Sequence, residues 1–362
     1  MLKYYLVLIA VILILSFSLS AGEQKICEYC KKPIEGQYLT VDTHYFHPDH
    51  FLCSYCRKPI EGGQYYNVNG AYYDAVCYKL VVAPKCAYCG EPIEGQYIES
   101  ENKKYHKECY EGHIGLRCAL CGGLIQDQYI QDAWGDIYHA FHLNVEPQCR
   151  YCGRFLSAAT DGGQTYSDGR TVCGICIKSA VNDIDEAELI CLQIADRLAS
   201  FGIEIKLKDI KLSLIDSREM ARINHAGLSD PLGYTYYEEA TYLLGLMKER
   251  RLRVWLLNGM PQKQFVSAAA HELMHVWIYR NSSAAFDMND LMCEGSCSYA
   301  SYLILKDDPS PEARYYLREL LENKDPVYGE GMRKVKSWLD GSDIPGWLNY
   351  LAENRNPPWD KK

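Results

Sequence analysis

The sequence predicts a multidomain chain in which a string of small β-hairpin modules precedes an α+β domain. Three observations predict it. Fourteen of the 17 cysteines fall between Cys27 and Cys176, leaving only Cys191, Cys293 and Cys297 beyond. Within that half, pairs of the form C-x-x-C recur at nearly constant spacing. From about Ser179 the pairs cease and longer apolar periodicities take over.

The 362 residues are 48% hydrophobic, enough to bury real cores, so disorder is not expected. A formal net charge of -9 without long basic runs argues against nucleic acid as a partner, because counterion release needs clustered Lys and Arg. Residues 1–22 stand apart. Lys3 precedes a charge-free, mostly apolar stretch from Tyr4 to Leu19 that runs into Ser20, Ala21 and Gly22. It reads as a secretory signal peptide or, near the lower limit of roughly 17 residues for a spanning helix, as a membrane anchor. Either way the chain is expected to be exported, secreted or held at the outer face of a membrane that it meets only through this segment.

Five C-x-x-C pairs open similar segments: Cys27 and Cys30, Cys53 and Cys56, Cys86 and Cys89, Cys118 and Cys121, Cys149 and Cys152. The first three continue as KKPIEGQY, RKPIEGGQY and GEPIEGQY, with a Gly that suits the turn of a small hairpin. Each segment closes with a second pair: His47 and His50, Asp74 and Cys77, His106 and Cys109, His139 and His142, Cys173 and Cys176. A hairpin carrying C-x-x-C sets two thiolates on one side of a tetrahedral zinc ion, and a second turn supplies two more ligands. Modules this small cannot bury a sufficient core, so metal binding supplies their folding free energy. An exported compartment would favour disulfides instead. Five of the ten histidines sit in the closing pairs, however, and a disulfide framework has no use for them. Five structural zinc ions are therefore expected. Asp74 reads either as a ligand or as an ordinary turn residue. The many tyrosines are expected to fill the thin apolar layers between modules.

Beyond Ser179, NDIDEAELICLQIADRLASFG reads as an amphipathic helix with Ile184, Ala187, Cys191, Ile194, Ala195 and Leu198 on one face. IEIKLKDIKLSLID and LRVWLLNG read as strands. PQKQFVSAAAHELMHVWIYRN then reads as a buried helix on which His271 and His275, one turn apart, converge on a single zinc ion. Glu272, one residue along, is placed as the general base for a water at that ion. The third ligand is Glu294, the carboxylate inside the helical stretch of MNDLMCEGSCSYASYLIL beyond the cap-like Asp290. Gly295 costs that helix roughly 1 kcal/mol relative to Ala, which close approach to the metal helix would explain. Cys293 and Cys297 read as buried apolar thiols with no catalytic role. Tyr328, in DPVYGEGMRKV, is the candidate donor to a developing oxyanion.

The junction His47-Pro-Asp-His50-Phe-Leu-Cys53-Ser-Tyr-Cys56, in which one site runs directly into the next, resembles that of LIM domains. Residues 27–80 are thus similar to a LIM domain, 86–143 to a LIM-like double zinc module with a longer linker, and 149–178 form a single zinc module. The LIM resemblance implies a protein partner. H-E-x-x-H with a downstream Glu resembles the gluzincin metallopeptidases, implying a metallopeptidase domain over 180–362 that acts on a protein or peptide substrate. The order of these parts, with AAAHELMHVW, CEGSCSYASYL and the LLNGMP turn, resembles the DA-one family of LIM-containing peptidases. The expected fold class is a zinc-ribbon or LIM-type β-hairpin array followed by an α+β gluzincin-like metallopeptidase domain. Its expected function is zinc-dependent endopeptidase activity, with one catalytic zinc and LIM-type modules that recruit or gate substrate. The alternative is a LIM-type scaffold with an inactive peptidase domain. Three departures stand out: Ser298 where many gluzincins carry a supporting Asp, the additional fifth zinc unit, and no ubiquitin-interacting helix visible ahead of Cys27. Ubiquitin regulation is therefore not carried over.

Overall fold

The computed structural model describes residues 24–223, 231–242, 247–340 and 343–360. The signal or anchor segment read at 1–22 lies outside the described residues. Among those described, no helix is long and apolar enough to cross a membrane. The chain divides into two compact units, residues up to 117 with 124–126, and residues 118–123 with 127 onward. The division falls inside the double module read at 86–143, so the fourth hairpin groups with the C-terminal part.

The first unit holds three antiparallel hairpins, Leu39–Val41 with His44–Phe46, Tyr66–Val68 with Ala71–Tyr73, and Ile98–Ser100 with Lys103–Tyr105. Their cores are small. Val41, Phe46, Phe51, Ile60 and Tyr65 serve the first two modules, and Ile93, Tyr97 and Tyr105 the third. Tyrosines do fill these layers, but in this unit those inside C-x-Y-C do not: Tyr29, Tyr55 and Tyr88 are 57%, 56% and 49% exposed.

The second unit opens with two more hairpins, Tyr129–Gln131 with Ile137–His139 and Gly163–Thr165 with Thr171–Cys173. There follow α1 (Ile184–Ala199), β1 (Ile210–Ile215), α2 (Ser217–Ile223), β2 (Gly233–Tyr242), β3 (Met247–Leu257), α3 (Gln262–Asn281), α4 (Asp290–Leu305), α5 (Pro311–Glu322), α6 (Tyr328–Leu339) and α7 (Ile344–Glu353). The sheet order is β1-β3-β2, with β1 parallel and β2 antiparallel to β3. Edge strand β2 packs against α3, which packs in turn on α4, and α4 on α6.

Helix α1 starts where Asp183 accepts from the Glu186 N–H at 3.0 Å, and it buries Ala187, Ile190, Cys191, Ile194, Ala195 and Leu198. Ile184, assigned to that face from the sequence, is 38% exposed. As the first residue past the cap it precedes the apolar stripe, and Ile190 belongs there instead. The strand read over IEIKLKDIKLSLID shrinks to Ile210–Ile215. Ile203 is buried at the end of α1, its N–H bonded to the Leu198 carbonyl at 3.1 Å.

Helix α3 is buried on most sides, by Phe265, Ala268–Ala270, Leu273, Met274 and Val276–Ile278, as befits a core helix. Asp290 does not cap α4. Asn289 does, its side-chain oxygen accepting from the Leu291 and Met292 N–H groups at 3.1 and 3.3 Å. The close approach that Gly295 permits is also not to α3. A Cβ at Gly295 would lie 2.4 Å from the Gly331 carbonyl carbon, and one at Gly331 would lie 2.4 Å from the Leu291 oxygen. These two glycines seat α6 on α4 backbone to backbone. Gly295→Ala should therefore push the helices apart at a cost of about 1–3 kcal/mol. A melting temperature equal to that of the parent would refute this account.

Candidate metal centres

Each expected structural site comes together as four ligand atoms within 4.8 Å of one another. The spacings suit a metal. Zn–S bonds near 2.3 Å and Zn–N bonds near 2.0 Å imply S···N edges of about 3.6 Å in a tetrahedron. Observed are 3.6 Å for Cys27 Sγ to His50 Nδ1, 3.6 Å for Cys30 to His47, 3.4 Å for Cys89 to His106 and 3.5 Å for Cys121 to His139. In the all-cysteine site, Cys152 and Cys173 lie 3.6 Å apart. His106 holds its other ring nitrogen 3.1 Å from the Pro92 carbonyl, which keeps Nδ1 aimed at the thiols. Both ring nitrogens of buried His142 lack a hydrogen-bond partner in the protein, an arrangement that ligation by Nδ1 or Nε2 would relieve.

At the first cysteine of three pairs the loop also favours a thiolate, whereas the Asp74 side chain and burial push the closing Cys77 up, and burial and neighbouring thiols push the closing Cys109 up. Burial opposes ionisation of Cys27, Cys86 and Cys118, yet backbone N–H groups, including those of the following C-x-x-C cysteine and the closing histidine, outweigh it and bring each thiol to about 6. Asp74 is a turn residue that caps a helix, and it is also placed where a ligand would be. Its Oδ1 caps the Ala75–Val81 helix by accepting from the Cys77 N–H at 2.7 Å, while Oδ2 lies 3.3 Å from Cys56 Sγ among the second module's thiols.

In the C-terminal unit α3 and α4 bring three donors to one point. Glu294 Oε2 lies 3.0 Å from His271 Nε2 and 3.4 Å from His275 Nε2. Bonds of about 2.0–2.1 Å give tetrahedral edges near 3.3 Å, so these residues fit a zinc ion as well. Burial would raise the Glu294 carboxyl, but His275 and His271 hold it well below the usual carboxylate range. Burial likewise disfavours charge on His275, and Cys297 and Glu294 overcome it.

The surroundings of these ligands were only partly foreseen. Cys293 Sγ lies 3.8 Å from His275 Nδ1, on the far side of the ring from Glu294, where a weak contact to the imidazole is within reach. Its place beside Glu294 was the available signal. Cys297, fully buried, lies beside the same imidazole. Glu272, 6% exposed, is held through Oε2 by the Thr235 hydroxyl at 2.7 Å, a contact 37 residues away that no motif announces. Tyr328 opens α6, and its ring centre lies 5.9 Å from that of His271. Burial and the Glu294 charge push its phenol well above the usual range, so it keeps its proton and can donate.

The fifth module is joined to this site. Buried Arg170 donates to Tyr151 Oη at 2.5 Å, to the Asn258 carbonyl at 2.6 Å and to Asn258 Oδ1 at 2.8 Å. Asn258 lies in the LLNGMP turn that leads into α3. Ala180–Val181 also pairs with Met260–Pro261 across the same turn.

Comparisons with known proteins bear on the whole arrangement. The LIM domain pattern matches residues 27–80. LIM domain-containing protein HDR3 from Oryza sativa subsp. japonica is 27% identical over an alignment of 326 residues that covers 81% of this chain and 58% of that protein. PDZ and LIM domain protein 7 from Homo sapiens is 29% identical over 85 residues, covering 24% of this chain and 19% of its own. Paxillin-B from Dictyostelium discoideum is 30% identical over 80 residues, 22% of this chain and 14% of its own. The chain thus spans under two thirds of the rice relative's length and a fifth or less of the other two. Residues 27–80 carry a LIM domain, within a multidomain chain whose N-terminal region is a run of LIM-type zinc-binding hairpins and whose remainder is mixed α/β.

Proposed function

We propose that the chain is an exported zinc-dependent endopeptidase of gluzincin type, related to the DA-one peptidases, whose LIM-type modules recruit or gate a protein substrate. The observation that carries this reading is the convergence of His271, His275 and Glu294 at 3.0 and 3.4 Å beside a buried Glu272. The similarity to the rice relative extends past the hairpins, which end before residue 180, because the alignment covers 81% of this chain. His271, His275 and Glu294 would hold a zinc ion, which would supply Lewis-acid activation of a water and of the scissile carbonyl. Glu272 takes the water's proton and delivers it to the leaving amine nitrogen. Tyr328 donates to the developing oxyanion. Export rests on residues 1–22 alone.

The second reading, a LIM-type binding scaffold with an inactive peptidase domain, is favoured by the LIM domain match. Metal analysis and cleavage separate the two. The peptidase should carry about six zinc ions, five structural and one catalytic. It should cleave a peptide library, lose cleavage when mild chelation removes the more open ion, and regain it with added zinc. Fully zinc-loaded protein that cleaves nothing would leave the scaffold.

A further inference from the structure

We propose that Thr235, with Gly233 on the same face of β2, is the positioning residue that aims the Glu272 carboxylate. This rests on the peptidase reading. Side chains two apart on a strand share a face, and here that face meets α3. The Thr235 hydroxyl lies 2.7 Å from Glu272 Oε2 and 3.2 Å from the Glu272 backbone carbonyl. Thr235 is itself 7% exposed, so the pair is closed to bulk water. Gly233 contributes by absence. A Cβ there would sit 2.6 Å from Glu272 Cγ and 2.8 Å from Oε1. One residue therefore anchors Oε2, and the other leaves room for the Oε1 side of the same carboxylate.

The chemistry suits a group that must gain and then lose a proton. A threonine hydroxyl donates to a carboxylate oxygen, and it goes on donating to the carbonyl oxygen when the other oxygen is protonated. Oε2 therefore keeps a partner in both states while Oε1 is left to take and return the proton. Without the hydroxyl, a nearly buried carboxylate loses its anchor and its rotamer freedom returns. A misplacement of about 1 Å in a reacting group costs on the order of 100-fold in rate.

The test compares Thr235→Val, which keeps the shape, with Thr235→Ser, which keeps the hydroxyl. Zinc content and melting temperature are recorded for both. Thr235→Val should lower kcat by about 10- to 100-fold with KM and zinc content unchanged, and Thr235→Ser should recover most of the loss. A readout independent of turnover is the affinity of the zinc-loaded protein for acetohydroxamic acid, which chelates the metal while passing its proton to the neighbouring carboxylate. Thr235→Val should weaken it about tenfold and Thr235→Ser should not. Wild-type kcat and hydroxamate affinity in Thr235→Val, or equal losses in both variants, would overturn the proposal. If the parent protein cleaves no peptide, the peptidase reading falls, and the hydroxamate series alone decides whether Thr235 aims Glu272.

Discussion

Glu272→Gln is expected to keep its full complement of zinc and to lose about 10²–10⁴-fold in peptide turnover, the range that a positioned acid–base group contributes. The substitution preserves shape. A glutamine side chain fills the same space over Gly233, and its amide can donate to the Thr235 hydroxyl, so the buried contact at 2.7 Å survives with its roles reversed. What it cannot do is accept a proton from water. The ligand trio His271, His275 and Glu294 is untouched, and so are the packing of α3 on α4 and the seat of α6 at Gly295 and Gly331. Stability should move by less than about 1 kcal/mol. The comparison is made with one peptide library and a metal analysis of both proteins. Equal cleavage by the two would remove Glu272 from the chemistry, and a lower zinc content would mean that the change had damaged the site rather than the mechanism.

The clustering of the candidate ligands was legible in the sequence because their geometry is local. C-x-x-C and a closing pair lie within one small module, and H-E-x-x-H lies within about one helical turn, so spacing alone sets which atoms can meet. Glu294 was legible at one remove, as a carboxylate inside an otherwise apolar helix. The residues that hold these groups in place were not. Thr235 reaches Glu272 across 37 positions, Gly295 meets Gly331 across 36, and Arg170 meets Asn258 across 88. Nothing in a one-dimensional pattern distinguishes a strand threonine that anchors a carboxylate from one that faces solvent. Gly295 illustrates the same limit, since its helix cost signalled a close contact but not the partner. Asn289 and Ile190 show a milder form: the element was right, but the cap was placed one residue late and the buried stripe was begun at Ile184 and lacked Ile190.

The all-cysteine site should be the metal centre on which the C-terminal unit depends most. Cys149, Cys152, Cys173 and Cys176 are each no more than 5% exposed, and they belong to the same apolar core as Met260, Phe265 and Ala269. Arg170 carries that coupling to Asn258, while Asp168 accepts from both Arg170 and the Ser217 N–H at the head of α2. Replacing Cys149 and Cys176 with serine removes two thiolates, and structural zinc contributes about 10–16 kcal/mol of apparent binding free energy in isolated modules at neutral pH. Even if only 4 kcal/mol of it reached the shared core, a unit of this size would melt about 8–16 °C lower. Peptide cleavage should fall with it, because the turn entering α3 is built on this module. The same double change at Cys27 and Cys30 also removes one zinc ion, but from the other compact unit, so the melting transition of the C-terminal unit should stay where it is. Calorimetry with metal analysis on the two double variants reads both effects. A C-terminal transition unmoved by loss of the fifth zinc would mean that the hydrogen bonds of Arg170 and the pairing of Ala180–Val181 with Met260–Pro261 hold the helix entrance without the metal.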